Sequence, residues 1–159
     1  MSRRAEKNFR LGVAFVAIIA LVMTSHAFYL HSAFYNDDAF ISLRYAKNLI
    51  DGNGLVWNPG ERTEGYTNFL HIILTASLGY LGAGLVVASR AVNALAFFTM
   101  IVVGLFHIRR NLNDRTDQRE WLVGAIPLIL VLNTYPMISW IYGGLEGPLF
   151  ASLVTIGTL

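Results

Sequence analysis

The chain has 159 residues, of which 55% are hydrophobic and 14% are charged. About a quarter of the residues in an ordinary soluble domain are charged, so this composition predicts a membrane protein. The formal net charge is only +2 and the basic residues are clustered, which argues against an extended nucleic-acid-binding face. The chain has no cysteine, which excludes disulfides and thiolate metal sites.

The first apolar segment covers residues 11–30. It is about twenty residues long, which is the length that a bilayer core requires. Basic residues before a span favour the cytoplasmic side, so we expect a cytoplasmic N-terminus and an outward exit. The alternative is a cleaved signal peptide with a small-residue site near residues 25–27. The basic residues in question are Arg3, Arg4, Lys7 and Arg10.

A polar stretch follows and predicts a juxtamembrane helix over residues 37–51. Asp37 and Asp38 stand at its start, with Asn36 or Asp37 as the expected N-cap. At 100° per residue the helix is amphipathic and suited to a membrane surface. The alternative is a solvated loop helix that the acids merely cap. The polar face comprises Asp37, Arg44, Asn48 and Asp51, with Lys47 at its edge; the apolar face comprises Ala39, Leu43, Ala46 and Ile50.

The rest of the first extracytoplasmic loop, about residues 31–84, contains two turn signals and a second apolar helix. Residues 51–54 and 58–61 are rich in Asn, Gly and Pro, as turns are. Residues 66–81 form a segment that is short for a span and suits an interfacial helix. The topology depends on whether residues 66–81 cross the membrane. If they do, the arginine-rich loop at about 109–120 faces outward. The positive-inside rule favours an interfacial helix.

Three further apolar segments are predicted as membrane spans. They cover about 85–108, about 121–141 and the start of another at 147–159. In this topology Arg90 lies near the outer end of its span; the alternative is that it snorkels to the lipid headgroups. The last segment stops after about half the length that a bilayer requires, so we expect the sequence to be an N-terminal fragment of a larger protein.

This arrangement gathers carboxylates and cations on one face of the membrane. A carboxylate can take a proton from a hydroxyl, and Arg or Lys can hold a lipid phosphate as it leaves. The residues concerned are Asp37, Asp38, Arg44, Lys47, Glu61, Arg62, Glu64, Arg90 and Glu146.

The same residues resemble the first extracytoplasmic loop of the C-type membrane glycosyltransferases. The resemblance is strongest to the actinobacterial terminal arabinofuranosyltransferases that use decaprenyl-phospho-arabinose. It covers roughly residues 9–159. It rests on the pair Asp37-Asp38 followed, in order, by Gly52-Asn53-Gly54, Asn58-Pro59-Gly60-Glu61 and Glu64-Gly65-Tyr66-Thr67-Asn68.

The resemblance implies a role for each matching residue. Asp37 is implied as the catalytic base and Asp38 as its support or an acceptor contact, while Arg90 lies near the donor phosphate. Gly144-Leu145-Glu146 is similar to a Gly-Leu-Glu-Thr pattern in which Gly147 here replaces the threonine. Arg44 and Lys47 are expected to assist at the phosphate. The expected substrate-binding or supporting residues are Asn58, Glu61, Glu64, Tyr66, Asn68 and Glu146.

Together these patterns predict an all-α membrane protein, the N-terminal part of a multi-span bundle with two juxtamembrane helices. The expected activity is inverting transfer of a sugar, with arabinofuranosyl one candidate, from a polyprenyl-phosphate donor to a glycan or other hydroxyl acceptor outside the cell membrane. No cofactor is expected, although two acids and Glu146 could bind a divalent ion. We expect the 159 residues alone to be inactive. The alternative is a non-enzymatic transporter or assembly subunit whose charges line a path.

Overall fold

In a computed structural model, every regular element of the described residues is an α-helix. The described residues are 33–61, 63–111, 126, 128–131 and 134–158, with scattered positions between 6 and 26. Most of the predicted span 11–30 and of the predicted loop 109–120 lies outside them. The helices are α1 (Ala39–Ile50), α2 (Phe69–Tyr80), α3 (Leu85–Asn111), α4 (Tyr135–Gly143) and α5 (Gly147–Thr158).

Helix α1 begins later than predicted. Its N-cap is Asp38, whose side chain makes no capping hydrogen bond, so the prediction of Asn36 or Asp37 as N-cap is wrong. The reason is a turn that precedes the helix: the Asn36 side-chain oxygen accepts the N–H of Asp38 at 2.9 Å. The backbone N–H of Ala39 then bonds to the Asn36 carbonyl at 3.2 Å. Asn36 therefore caps this turn, and the helix follows from it.

The apolar face predicted for α1 is the face that packs. Ala39, Leu43 and Ala46 are buried and Ile50 is partly buried. At the end of the helix the chain reverses at Gly52, whose φ of +82° is the left-handed conformation that glycine adopts without strain. A second turn closes at Glu61, whose N–H bonds to the carbonyl of Asn58 at 3.1 Å. Both predicted turns are confirmed.

Helix α2 has 12 residues, fewer than the predicted segment 66–81. At 1.5 Å per residue it is about 18 Å long, well short of a bilayer core of about 30 Å. Helix α3 has 27 residues and extends past the predicted 85–108. Among the described residues, α3 from Leu85 to Arg110 is the one helix that is long and apolar enough to cross a membrane.

The predicted span 121–141 is interrupted in its described part. Residues 128–131 are helical, but Thr134 is extended, with φ −69° and ψ +141°, and acts as the N-cap of α4. A proline at the first turn of α4 explains the fresh start, because proline fits the beginning of a helix and not its interior. Helix α4 ends at Gly143, and its C-cap Gly144 is in the left-handed conformation; α5 begins three residues after Gly144, at the predicted position.

Helix α3 is the centre of the described structure, since it packs against all four other helices. Two apolar clusters lie on it or beside it. One joins α1 and α2 around Tyr45, Ala46, Ile72 and Ala76. The other joins α3 and α4 around Phe97, Met100, Ile101, Met137, Ile141 and Tyr142.

Candidate functional site

The segment that leads to the acid pair is fixed by long-range hydrogen bonds. The N–H of Asn36 donates to the carbonyl of Gly143 at 3.0 Å, at the end of α4. The Tyr35 hydroxyl lies 3.0 Å from the Ser89 hydroxyl in the first turns of α3. We call this meeting point the junction: residues 34–36, the first turns of α3 and the α4–α5 turn at 143–146. The acids therefore follow a fixed point of the backbone.

Arg90 is the main cation of the junction. Its Nε donates to the Tyr142 carbonyl at 2.9 Å and its Nη2 to the Phe34 carbonyl at 2.7 Å. Its guanidinium carbon also lies 5.6 Å from the centroid of the Tyr35 ring, in the range of a cation–π contact. Arg90 thus joins three separate parts of the chain. Arg90 therefore contacts residues 34 and 35, which precede the acid pair in the chain.

Asp37 and Asp38 are exposed at the start of α1. Asp37 Oδ1 accepts the N–H of Asp38 at 3.1 Å. Within the described part of the chain, the Asp38 carboxylate accepts no hydrogen bond and forms no ion pair. Both carboxylates are therefore open to a molecule that approaches from outside the bundle, and both lie at the positive end of a helix dipole.

Asn68 connects the loop to the α4–α5 turn. Its amide Nδ2 donates to Ser42 Oγ at 2.7 Å and to Glu146 Oε2 at 3.0 Å. The structure therefore brings together two of the predicted supporting residues, Asn68 and Glu146, which are 78 positions apart. Ser42 was not predicted. Its signal in the sequence is a single hydroxyl on the otherwise apolar face of α1.

A buried polar group lies behind Asn68, around His71, which the sequence suggested to be a satisfied interfacial histidine rather than a ligand. His71 is only 1% exposed, and within the described structure neither of its ring nitrogens makes a hydrogen bond. Burial lowers the pKa of His71, while the Glu146 carboxylate, the Asn93 side chain and the Ser89 backbone act in the opposite direction. Asn93 is fully buried and donates to the carbonyls of Trp140 and Leu145 at 3.1 and 2.8 Å. The four-residue spacing of Ser89 and Asn93 in an apolar helix is the signal that could have found this group.

Arg44 makes its hydrogen bonds within the loop and not at the junction. Its Nε donates to the Trp57 carbonyl at 2.8 Å and its Nη2 to Asn58 Oδ1 at 2.9 Å. Its guanidinium carbon lies 4.6 Å from the centroid of the Trp57 ring. The Asn58 amide in turn donates to Glu61 Oε2 at 3.0 Å. Asn58 and Glu61, two predicted supporting residues, thus belong to a hydrogen-bonded chain that shapes the loop.

The remaining predicted residues lie elsewhere on this loop and on α1. Lys47 forms an exposed ion pair with Asp51 one turn along α1. Glu64 is exposed. Tyr66 packs edge to face on Tyr45 with ring centroids 4.9 Å apart. Tyr45, which was not predicted, is 1% exposed; its hydroxyl donates to the Thr63 carbonyl at 3.1 Å and accepts the Gly65 N–H at 2.9 Å.

The three predicted phosphate-binding cations are not equivalent relative to Asp37. Arg90 binds the carbonyl of Phe34. Asp37 is three residues further along the chain, so its α-carbon lies at most about 11 Å from the α-carbon of Phe34. On helical geometry Arg44 lies about 10 Å along α1 from Asp37, and Lys47 about 15 Å. Arg44 shares the helix face of Asp37, whereas Lys47 lies at its edge. The geometry favours Arg90 and Arg44 over Lys47 as neighbours of the acid pair.

Two glycines in the α4–α5 turn allow close packing. A Cβ at Gly144 would collide with the hydroxyl and ring of Tyr35, and the φ of Gly144 is +80°. A Cβ at Gly147 would collide with the Trp140 ring. Gly147 is where the sequence departs from the Gly-Leu-Glu-Thr pattern, and the contact with Trp140 gives a physical reason for that departure.

Neither metal ligation nor relatives add to this description. In the part of the chain that the structure describes, no three His, Cys, Asp or Glu side chains lie close enough together to hold a metal ion. Comparison with protein-family models, with curated proteins and with solved structures finds no match to this chain.

Proposed function

We propose that this chain carries the catalytic acids of a membrane glycosyltransferase of the C type, which uses a polyprenyl-phosphate sugar donor. The observation that carries the proposal is the placement of an exposed acid pair directly after a segment that Arg90 holds. A carboxylate that can remove a proton and a guanidinium that can face a phosphate then lie at the same end of one bundle.

A membrane setting is supported by the distribution of side chains around α3. Its buried face combines the small or polar residues Ala88, Ser89, Asn93 and Ala96 with the apolar residues Val92, Phe97, Met100 and Ile101. Its outward stripe is apolar, with each residue more than half exposed: Val87, Leu95, Phe98, Val102 and Phe106. A helix at the surface of a protein in water turns polar side chains outward, whereas a helix in lipid turns apolar side chains outward.

The reaction follows from the chemistry of the groups. The Asp37 carboxylate takes the proton of an acceptor hydroxyl, and the acceptor oxygen attacks the anomeric carbon of the donor. The bond between that carbon and the phosphate oxygen breaks, and polyprenyl phosphate leaves with the electron pair. One displacement inverts the anomeric configuration. Asp38 supports the base, and Arg90 faces the leaving phosphate with Arg44 as a second cation.

The transporter or assembly-subunit alternative predicts charged side chains between helices that line a path. Asp37 and Asp38 are exposed, and α1 presents them at its start rather than between spans. This position supports the enzyme proposal over the alternative.

The test is sugar transfer by membranes from cells that express the complete gene encoding this chain, with radiolabelled decaprenyl-phospho-arabinose as the first donor. Loss of a general base reduces rates by about 10²- to 10⁴-fold, so we expect Asp37→Asn to lose at least about 100-fold. Asp51→Asn is the matched control, because it removes an exposed carboxylate from the other end of α1. Near-normal transfer by Asp37→Asn would refute the assignment of the base.

A further inference from the structure

The segment that carries the acid pair is anchored, before the pair, to the turn between α4 and α5. The N–H of Asn36 donates to the carbonyl of Gly143 at 3.0 Å. Arg90 is bound to the same part of the chain, since its Nε donates to the carbonyl of Tyr142 at 2.9 Å. Two neighbouring carbonyls therefore hold the acid-bearing segment and the main cation of the junction.

A second anchor follows the acid pair, and it passes through the Asn68 side chain. The Asn68 amide nitrogen donates to Ser42 Oγ at 2.7 Å and to Glu146 Oε2 at 3.0 Å. Ser42 lies one turn along α1 from Asp38, so this bond acts on the turn of the helix that follows the acids. Glu146 lies in the same α4–α5 turn as Gly143. Both anchors therefore end on one turn, and the acid pair lies between them.

The Asn68 side chain serves this anchor and not the helix that it precedes. Asn68 is the N-cap of α2, a position at which asparagine ordinarily accepts a hydrogen bond from the first helical turn. Its side chain makes no capping bond, although such a cap contributes about 1 kcal/mol. An amide nitrogen has two N–H groups, and Ser42 and Glu146 accept both of them. The Asn68 amide nitrogen is therefore committed to contacts within the protein.

We propose that Asn68 is a positioning residue that joins α1 to the α4–α5 turn and thereby fixes the acid pair relative to Arg90. Without this link, α1 loses the connection to the turn that Asn68 provides, and its first turns can tilt about Asn36. The placement of the acids follows from the hydrogen bonds themselves. Only the catalytic consequence rests on the proposed glycosyltransferase function.

Asn48 provides a matched control. Its amide nitrogen also donates twice, to the carbonyls of Val56 and Trp57 at 2.7 and 3.0 Å, but both acceptors lie within the loop. Asn48→Leu and Asn68→Leu therefore each remove two hydrogen bonds and keep a side chain of similar shape. Only Asn68→Leu removes a connection to the α4–α5 turn. A general loss of stability would affect both variants, whereas a loss of positioning would affect one.

The first measurement is a distance between α1 and α5 in the protein expressed from the complete gene encoding this chain. Nitroxide labels are attached to Ile41→Cys and Val154→Cys, two exposed positions, in a protein without other cysteines. Pulsed electron paramagnetic resonance in phosphatidylcholine vesicles then reports the separation of the labels. We expect Asn68→Leu to shift the mean separation by about 1 Å or more, or to broaden its distribution, because a misplacement of about 1 Å is enough to impair a catalytic group.

The control decides how this measurement is interpreted. Asn48→Leu should leave the separation of the labels as it is in the labelled parent protein. The same separation and width in Asn68→Leu as in the parent would overturn the proposal. So would an equal change in Asn48→Leu and Asn68→Leu, since the effect would then not depend on the α4–α5 turn.

A milder variant keeps the proposal testable if Asn68→Leu does not fold. Ser42→Ala removes one acceptor and little volume, and it should change the separation in the same direction. Ser139→Ala is its control: Ser42 and Ser139 are 6% and 7% exposed, but the Ser139 hydroxyl donates within its own helix, to the Pro136 carbonyl at 3.2 Å. Equal changes in the two serine variants would contradict the proposal.

The double variant tests whether Asn68 acts through Ser42. Ser42→Ala combined with Asn68→Leu should match Asn68→Leu alone, because both substitutions remove the same link. Additive changes in the separation of the labels would show that the two side chains act independently and would refute the link.

The kinetic test depends on the proposed glycosyltransferase function. Asn68→Leu should lower kcat by at least about 10-fold and keep KM for the donor within about 2-fold, because a misplaced base lowers the rate and not the affinity. Asn48→Leu should keep kcat within about 2-fold of the unmodified protein, since its bonds lie within the loop. A raised KM with unchanged kcat and an unchanged label separation would make Asn68 a substrate contact and overturn the proposal.

The distance measurement needs no sugar transfer, so the two proposals can fail separately. If the unmodified protein transfers no sugar but Asn68→Leu moves α1, the glycosyltransferase proposal fails and the positioning role stands. If the protein transfers sugar and Asn68→Leu leaves α1 in place, the positioning role fails alone.

Discussion

In two regions of the molecule an arginine side chain links separate segments of the chain, and the sequence separations that it links differ greatly. In the loop region, formed by α1, residues 51–68 and α2, Arg44 donates to two acceptors 13 and 14 positions away. In the junction, Arg90 donates to two carbonyls 52 and 56 positions away. Each guanidinium also lies near an aromatic ring, Trp57 in one case and Tyr35 in the other.

The difference lies in what each arginine connects. Arg44 and its acceptors are exposed and close in sequence, so the loop is held by contacts that can form locally. Arg90 joins segments that approach one another only after α3, α4 and α5 have packed. The loop region can therefore keep much of its shape on its own, whereas the junction depends on the whole described bundle. The acid pair lies between the two regions, and both set its position.

The largest expected effect comes from filling the junction. Gly144→Ala should lower the free energy of unfolding by about 3 kcal/mol, because it combines a left-handed φ with a clash against Tyr35. Gly82→Ala is the matched control: its φ is +98° but nothing lies within 4 Å of the added Cβ, so it should cost about 1 kcal/mol. Unfolding by sodium dodecyl sulfate in mixed micelles measures both. Equal losses would show that the contact with Tyr35 contributes nothing.

The next largest effect compares the arginines themselves. Arg90→Lys keeps the charge but loses the fork that binds two carbonyls, and it should cost about 2 kcal/mol. Arg44→Lys, in the exposed loop, should cost less than about 1 kcal/mol. The same unfolding measurement applies. If Arg44→Lys proved the more destabilising, the loop and not the junction would be the region that holds the acid pair in place.

The pH dependence of stability tests the buried cluster behind the junction. Because the folded chain lowers the pKa of His71, the unfolded chain binds a proton more readily below the ordinary histidine pKa of 6.5. Stability from this group is therefore complete above that pH and decreases as the pH falls, by at most about 1.4 kcal/mol per pH unit.

The His71→Gln variant separates this group from the other titrating residues. It should flatten the pH profile between 6.5 and 5 relative to the unmodified chain. Asp51→Asn, on the exposed end of α1, should leave the profile unchanged in that range. A profile that stays as steep in His71→Gln would assign the pH dependence to another group.

The smallest effect should come from the exposed ion pair in the loop region. Lys47 and Asp51 are 60% and 41% exposed, and exposed helical pairs contribute about 0.3–0.5 kcal/mol. Lys47→Gln should therefore change the free energy of unfolding by less than about 0.5 kcal/mol, and less still at high salt. A loss above 1 kcal/mol would indicate that Lys47 has a partner beyond Asp51.

The contrast between the regions also separates what the sequence could predict from what it could not. The apolar face of α1, the turns at 51–54 and 58–61, and the long helix from residue 85 follow from periodicity and from glycine and proline. Each of these depends on neighbours within a few residues. The N-cap of α1 was misplaced because Asn36 caps a turn first, a choice between two local solutions that the sequence leaves open.

The contacts of the junction could not be predicted residue by residue. Asn68 and Glu146 were expected to lie on the same membrane face, but nothing in the sequence joins them or adds Ser42. The interruption at Thr134 was missed because the segment 121–141 is apolar enough to be read as one span. The catalytic roles of Asp37, Asp38 and Arg90 stay predictions, because position alone does not establish chemistry.

The close approach of Gly147 to Trp140 also restricts which sequences can follow this one. A threonine at position 147 would collide with the indole ring, so the Gly-Leu-Glu-Thr pattern and the tryptophan at position 140 exclude each other in this backbone. A mutational path from Gly147 to threonine must therefore replace or reorient Trp140 before, or at the same time as, it changes residue 147. The two positions should vary together among sequences that share this turn.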